Sequence, residues 1–182
     1  MHFKFNTTLN DQDYLDYNIF LMTKSPYGKK QITKFRIVLA LVYAVLSLLY
    51  LLTEDFSVGA WVGAIFILIC LVLFELLLNK FFIRITKGQI KSLKKKGKMP
   101  YSPVADMEFY DEVFIETTPE NKTEQKYSSI EKVSIITDKI IYIHVNNLLA
   151  YIIPLNCFNS KEEYNDFISF IKTKCQTIDV YE

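Results

Sequence analysis

Two nearly unbroken apolar runs interrupt a chain that is otherwise mixed. Residues 35–52 read FRIVLALVYAVLSLLYLL and residues 56–78 read FSVGAWVGAIFILICLVLFELLL. Arg36 and Glu75 are their only charged residues. A helix rising 1.5 Å per residue needs about 20 residues to cross a ~30 Å hydrocarbon core, so each run is long enough. Only Thr53, Glu54 and Asp55 separate them, which predicts antiparallel neighbouring helices over about 35–53 and 56–78. The first run follows 34 largely polar residues, several of them acidic, and so is not the apolar core of a cleaved leader.

On either side of the hairpin the period shortens. The stretch HFKFNTTL alternates as a strand does, and residues 11–22 suit a short helix with Tyr14, Leu15, Ile19 and Leu21 on its apolar side. Beyond residue 100, Met107–Phe109 and Val113–Thr117 flank a tight turn at Tyr110-Asp111-Glu112. The polar run 118–126 reads as a loop or hairpin tip. Strands are expected over Tyr127–Ile130, Lys132–Ile136, Ile140–Val145 and Leu148–Ile153, with Asn146-Asn147 as a two-residue turn and Pro154 as the stop. Ser160 and Glu163 fit a capping box that opens a helix with Tyr164, Phe167, Ile168, Ile171 and Cys175 as one apolar stripe.

The expected organisation is therefore a cytoplasmic arm (1–34), a membrane hairpin (35–78), a basic juxtamembrane linker (79–100) and a cytoplasmic domain (101–182). The fold class is an α+β membrane protein. Five to seven antiparallel strands are closed by a C-terminal helix, and the N-terminal stretch adds a strand to the sheet across the hairpin.

Charge orients this layout. The net charge of +1 is a sum of unlike parts. Lys24, Lys29, Lys30, Lys34 and Arg36 precede the first run, and residues 79–98 hold eight basic groups and no acid. The loop between the runs has no basic residue. By the positive-inside bias both flanks face the cytoplasm, giving a two-pass plasma-membrane protein with both termini inside. Lys91, Lys94, Lys95, Lys96 and Lys98 form a cluster suited to an anionic inner leaflet, at roughly 1 kcal/mol per group near the surface. A nucleic-acid patch would interleave aromatics, which this cluster lacks, so no nucleic acid is expected. Residues 99–182 are acidic, with fourteen acids against seven bases.

Within the hairpin, Gly59 and Gly63 make a G-x-x-x-G. Small residues let helices approach closely, serving either a homodimer seam or, more simply, packing on the first helix near Ala44 and Ser47. Glu75 is the one intramembrane-looking acid, and such residues are functional candidates by default. It lies near Lys80 at the cytoplasmic end, where it could pair or reach headgroup water.

The segments FYDEVFIETT (109–118), KYSSIEKVSIITDKIIYIHV (126–145) and IIPLNCFNSKEEYNDFISFIK (152–172) resemble the YcxB-like membrane proteins of Gram-positive bacteria. The proline step shows as Ile153, Pro154, Phe158, Ser160 and Glu163, with Leu155 where that family favours a basic residue. The family's tryptophan before its Ser-Asp step is replaced, leaving Tyr127 or Ser128. The resemblance implies a pleckstrin-homology-like cytoplasmic domain and carries over no catalytic residues. The bias of 19 Lys against two Arg is consistent with an AT-rich bacterial genome.

The search for reactive chemistry returns little. Cys70, Cys157 and Cys175 lack a metal or redox spacing, and a cytoplasmic location disfavours disulfides. His2 and His144 are the only imidazoles, and His144 reads as a structural strand residue. No nucleophile elbow, phosphate loop, dinucleotide fingerprint or zinc-protease motif occurs. No catalytic, cofactor or metal site is expected. The functional expectation is a non-catalytic, membrane-anchored interaction module. Its partners would be the bilayer and another protein, or a second copy of the chain. The alternatives are protection against a membrane-active toxin and an accessory role beside a transporter.

Overall fold

The protein was analysed as a computed structural model, which describes residues 1–98 and 101–182. Two compact units emerge, one from residues 1–17 with 92–182, the other from residues 18–91.

In the first unit the N-terminal alternation becomes a strand. β1 (Phe3–Thr8) pairs antiparallel with β2 (Val104–Phe109), in register from Phe3 opposite Phe109 to Thr8 opposite Val104. The meander continues through β3 (Val113–Thr117) and β4 (Lys122–Lys126). Phe5 and Thr7 turn inward while Lys4, Asn6 and Thr8 face out. On the outer face, Lys4 Nζ donates to Glu108 Oε1 at 2.8 Å and Asn6 Nδ2 to Asp106 Oδ1 at 2.9 Å, cross-strand pairs that fix the register.

A second sheet is ordered β7-β6-β5-β8, from β5 (Lys132–Ile136), β6 (Ile140–His144), β7 (Ala150–Pro154) and β8 (Ile178–Tyr181). All five residues of β6 are buried, because a helix covers its other face. That helix is α1 (Asp11–Thr23), whose Tyr17 ring lies 5.0 Å from Tyr142. The closing helix α4 (Lys161–Lys174) buries Tyr164, Phe167 and Ile171. Phe167 is the hub of the core, with Phe5, Phe109 and Phe158 at ring separations of 5.0, 4.8 and 5.4 Å.

The second unit contains α2 (Pro26–Thr53) and α3 (Val58–Lys95), the latter ending in the first unit. Both are long and apolar enough to cross a membrane, and only 11 % of the most apolar window of each is buried. Ser25 caps α2 by accepting from Gly28 N at 3.0 Å, with Pro26 beginning the helix. A Cβ on Gly28 would overlap the Leu21 carbonyl, so the α1–α2 corner requires glycine there. The turn between α2 and α3 is made with Asp55 and Phe56 at φ of 46° and 54°.

Several expectations change. The polar run expected as a loop contains β4, an edge strand whose charged residues deter further pairing. Tyr127–Ser129 is a 3-10 turn rather than a strand, with Tyr127 buried and its hydroxyl donating to the Tyr110 carbonyl at 3.1 Å. Among the described residues, seven strands form beyond residue 100 and β1 adds the eighth, as expected, but β8 pairs with β5 in parallel, not antiparallel. The expected linker is helical to Lys95, and its last two positions, Met99 and Pro100, lie outside the described residues. At the Ser160 cap, Glu163 N donates to Ser160 Oγ at 3.1 Å. The return bond, however, reaches Asn159, whose backbone N donates to Glu163 Oε2 at 2.7 Å.

Because Phe5 packs against the rings of Phe3, Phe109, Phe158 and Phe167, Phe5→Ala is expected to destabilise the domain by about 3–5 kcal/mol. A lowered urea midpoint of the detergent-solubilised protein, followed by near-UV circular dichroism, would register it. An unchanged midpoint would place β1 outside the cooperative core.

Candidate functional site

The polar features of the hairpin unit converge at one interhelical contact. Arg36 Nε on α2 lies 2.9 Å from Glu75 Oε2 on α3. Glu75 therefore pairs across the hairpin and not with Lys80, which is exposed. Five residues along a helix turn roughly 140° about its axis, so Lys80 leaves from a different side of α3. Arg36 is the basic residue that α2 brings to that level. Charged groups at the margin of an apolar span are best accommodated when paired.

Small residues bring the helices together nearer the α2–α3 turn. Ala60 and Ala64 are buried in a cluster with Leu51. Gly63 is half-buried, and a Cβ there would overlap the Tyr50 ring. Ser47 is buried as well. Gly59 is exposed with only Ser57 Oγ near, at 3.9 Å, and Ala44 is exposed on α2. Of the four residues expected at the seam, the structure brings Gly63 and Ser47 into the hairpin interior and leaves Gly59 and Ala44 on its outside. The α3 face toward α2 is Ala60, Gly63 and Ala64.

The lysines do not act as one patch. Lys94 Nζ donates to Asp11 Oδ2 at 2.6 Å, and the Tyr101 hydroxyl donates to Asp11 Oδ1 at 2.6 Å. Tyr14 stacks on Tyr101 with ring centroids 5.2 Å apart. These two hydrogen bonds, from Lys94 first, hold the Asp11 carboxyl below the ordinary carboxylate range. Burial and then the Asp11 hydrogen bond push the Tyr101 phenol up. Lys91, Lys95, Lys96 and Lys98 are exposed. Lys94 lies in the last turn of α3.

His144 is fully buried on β6, with Nε2 3.1 Å from Ser134 Oγ and the Tyr17 and Tyr142 rings nearby. Burial, and secondarily Lys132, lowers its pKa to about 4, so it is neutral at physiological pH. His2 lies at the surface with Nε2 2.8 Å from Asp111 Oδ1. Burial raises the Cys157 and Cys175 thiols to about 11, which keeps them protonated and poorly nucleophilic. Among the described residues no group of three His, Cys, Asp or Glu converges as a metal site requires.

The residues that sequence reasoning missed are Arg36 as the partner of Glu75, and Asp11 with Tyr101 as the clamp on Lys94. The first left a signal, since each apolar run carries one charge and the two are of opposite sign. The second left none, because it joins positions 90 residues apart.

These features define an α+β protein in which a helical hairpin, apolar enough to cross a membrane, is inserted between neighbouring strands of a two-sheet module. Residues 109–171 match the family model described as YcxB-like protein. That is the family the sequence resembles, and the match runs from the end of β2 into the last turn of α4. Neither a curated protein nor a solved structure matches the chain.

Two measurements follow. Arg36→Ala and Glu75→Ala should each weaken the hairpin, and the double variant should lose less than the two together, with a coupling of about 0.5–3 kcal/mol. Additive losses in a detergent unfolding titration would mean that the pair does not interact. His144 charges in the unfolded chain near its usual 6.5 but only near 4 when folded. Its contribution is thus present above pH 6.5 and lost as pH falls toward 4, up to about 3 kcal/mol. His144→Gln should flatten the stability profile across that window; an identical profile would show that His144 is not the titrating group.

Proposed function

We propose that this protein is a non-catalytic, two-pass membrane-anchored module that holds a pleckstrin-homology-like domain at the cytoplasmic face, where it engages another protein. The observation that carries this reading is the insertion of the hairpin between β1 and β2. These strands pair residue for residue from Phe3–Phe109 to Thr8–Val104, so the domain is built from both ends of the anchor. A domain attached in this way stays at the bilayer whenever it is folded.

Two meanders, β1–β4 and β5–β7, closed by α4 support the pleckstrin-homology-like assignment. The basic flanks support a cytoplasmic domain. On a continuous α3, Lys80 and Arg84 lie within about 9 Å of Leu78. That is inside the ~10 Å reach of a surface potential. The residues that read the anionic leaflet are then Lys80 and Arg84, with Lys30 and Lys34 on the other flank. The pairing of Glu75 with Arg36 favours an anchoring hairpin over an ion path, because the carboxylate is already engaged within the chain.

Topology is tested in a background with Cys70, Cys157 and Cys175 replaced by serine. Asp55→Cys should react with a membrane-impermeant maleimide in intact cells, and Glu120→Cys only after permeabilisation. Labelling of Glu120→Cys from outside would overturn the orientation. A photoreactive residue at Glu124, on the open edge of the first sheet, should yield a discrete protein adduct in cells. Absence of any such adduct from Glu124 and from exposed positions on β1 and α4 would overturn the interaction role.

A further inference from the structure

Along one row of the first sheet the inner face changes character. Phe5 on β1 lies opposite Met107 on β2, Met107 opposite Glu116 on β3, and Glu116 opposite Thr123 on β4. Phe5 and Met107 are buried, so the row is core as far as β2 and then meets a carboxylate. Side chains alternate along a strand, which puts Glu116 on the same side of β3 as the buried Phe114. Tyr151 of β7 meets the Phe114 ring edge-on, with centroids 4.8 Å apart, and walls the same space from the second sheet.

The carboxylate is half-buried and uncompensated. Burial raises its pKa, and among the described residues no ion pair or hydrogen bond reaches it. Lys122 and Lys126 lie opposite Thr117 and Val113, and so project from the outer face of the sheet. Burial first, and the Glu116 carboxylate second, push the Tyr151 phenol up, as expected of neighbouring groups. A desolvated carboxylate without a counter-charge is unfavourable, and a glutamine of the same shape would avoid that cost.

Shape and chemistry select what would supply the charge. The sheet ends at β4, so Glu116 is reached from solvent past one small side chain, Thr123. A lysine or arginine entering there lays its apolar stem on Thr123 and the Tyr151 ring, both half-buried, and its head on the carboxylate. The aromatic wall adds a cation–π contact. A bare metal ion would need more ligands than one carboxylate, and among the described residues no group of three His, Cys, Asp or Glu converges.

We propose that Glu116, walled by Tyr151, is the site at which the partner protein places a lysine or arginine side chain. This deepens the interaction role and rests on it. The test uses the full chain in cells, with the photoreactive residue at Glu124, next to Thr123 on β4. The partner segment linked there should hold a lysine or arginine within about three residues of the link. Glu116→Gln should lower the adduct yield about five-fold or more, while the urea midpoint of the purified variant stays unchanged or rises. Glu120→Gln, which removes an exposed acid from the β3–β4 turn, should leave the yield unchanged. Glu116→Lys, combined with glutamate in place of the partner's basic residue, should restore the adduct. Should Glu116→Gln lower the midpoint, that exchange decides alone, and a failure to restore overturns the proposal. Absence of any adduct from the wild-type surface is failure of the interaction role itself. An adduct that forms and persists in Glu116→Gln overturns this site alone, as does a linked segment without a basic residue. An equal loss with Glu120→Gln also overturns it, in favour of attraction to the acidity of the domain as a whole.

Discussion

The pairing of β1 with β2 is the contact on which the rest of the molecule depends. Thr8 and Val104 face each other across 95 intervening residues. For a flexible loop of that length the closure cost is about 4 kcal/mol, comparable with what the burial of Phe3 and Phe5 can return. Three helices, α1, α2 and α3, order most of that stretch, and a chain ordered beforehand loses less entropy on closure. Core packing depends on the β1–β2 pair too, since Phe5 completes the ring cluster around Phe167. Within the second unit, the Arg36–Glu75 pair and the close approach of Gly63 to Tyr50 set α2 against α3.

Much of the fold was legible because it rests on patterns with a single physical cause. The apolar runs, the alternation of β1, the strand boundaries of Lys132–Ile136 and the Ser160 cap each follow from a local period or a local hydrogen bond. What was not legible depends on neighbours distant in sequence. β4 has no apolar face to betray it, and is a strand only because β3 lies beside it. β8 is short and pairs in parallel, a geometry that requires α4 as the crossover. Tyr127 has the composition of a strand residue, yet its hydroxyl meets the Tyr110 carbonyl and the chain turns there instead.

The candidate site divides along the same line. Glu75 was conspicuous by its isolation, and the single opposite charge of the other run hinted at Arg36, whose pairing follows once the two helices lie antiparallel. The lysine cluster illustrates the converse. Its composition reads as a membrane-surface strip, but the helix carrying it does not stop at the end of the apolar run. Lys94 meets Asp11 instead, and the tail of α3 becomes part of the domain.

The clamp at Lys94 and the strand pair β1–β2 act at opposite ends of one short path. From Thr8 the chain needs only two residues to begin α1 at Asp11, which holds Lys94 and Tyr101. From Lys95 it needs only eight to begin β2. The clamp and the strand pair both lie in the first unit, so Asp11, Lys94 and Tyr101 close the same part of the chain that β1 and β2 begin.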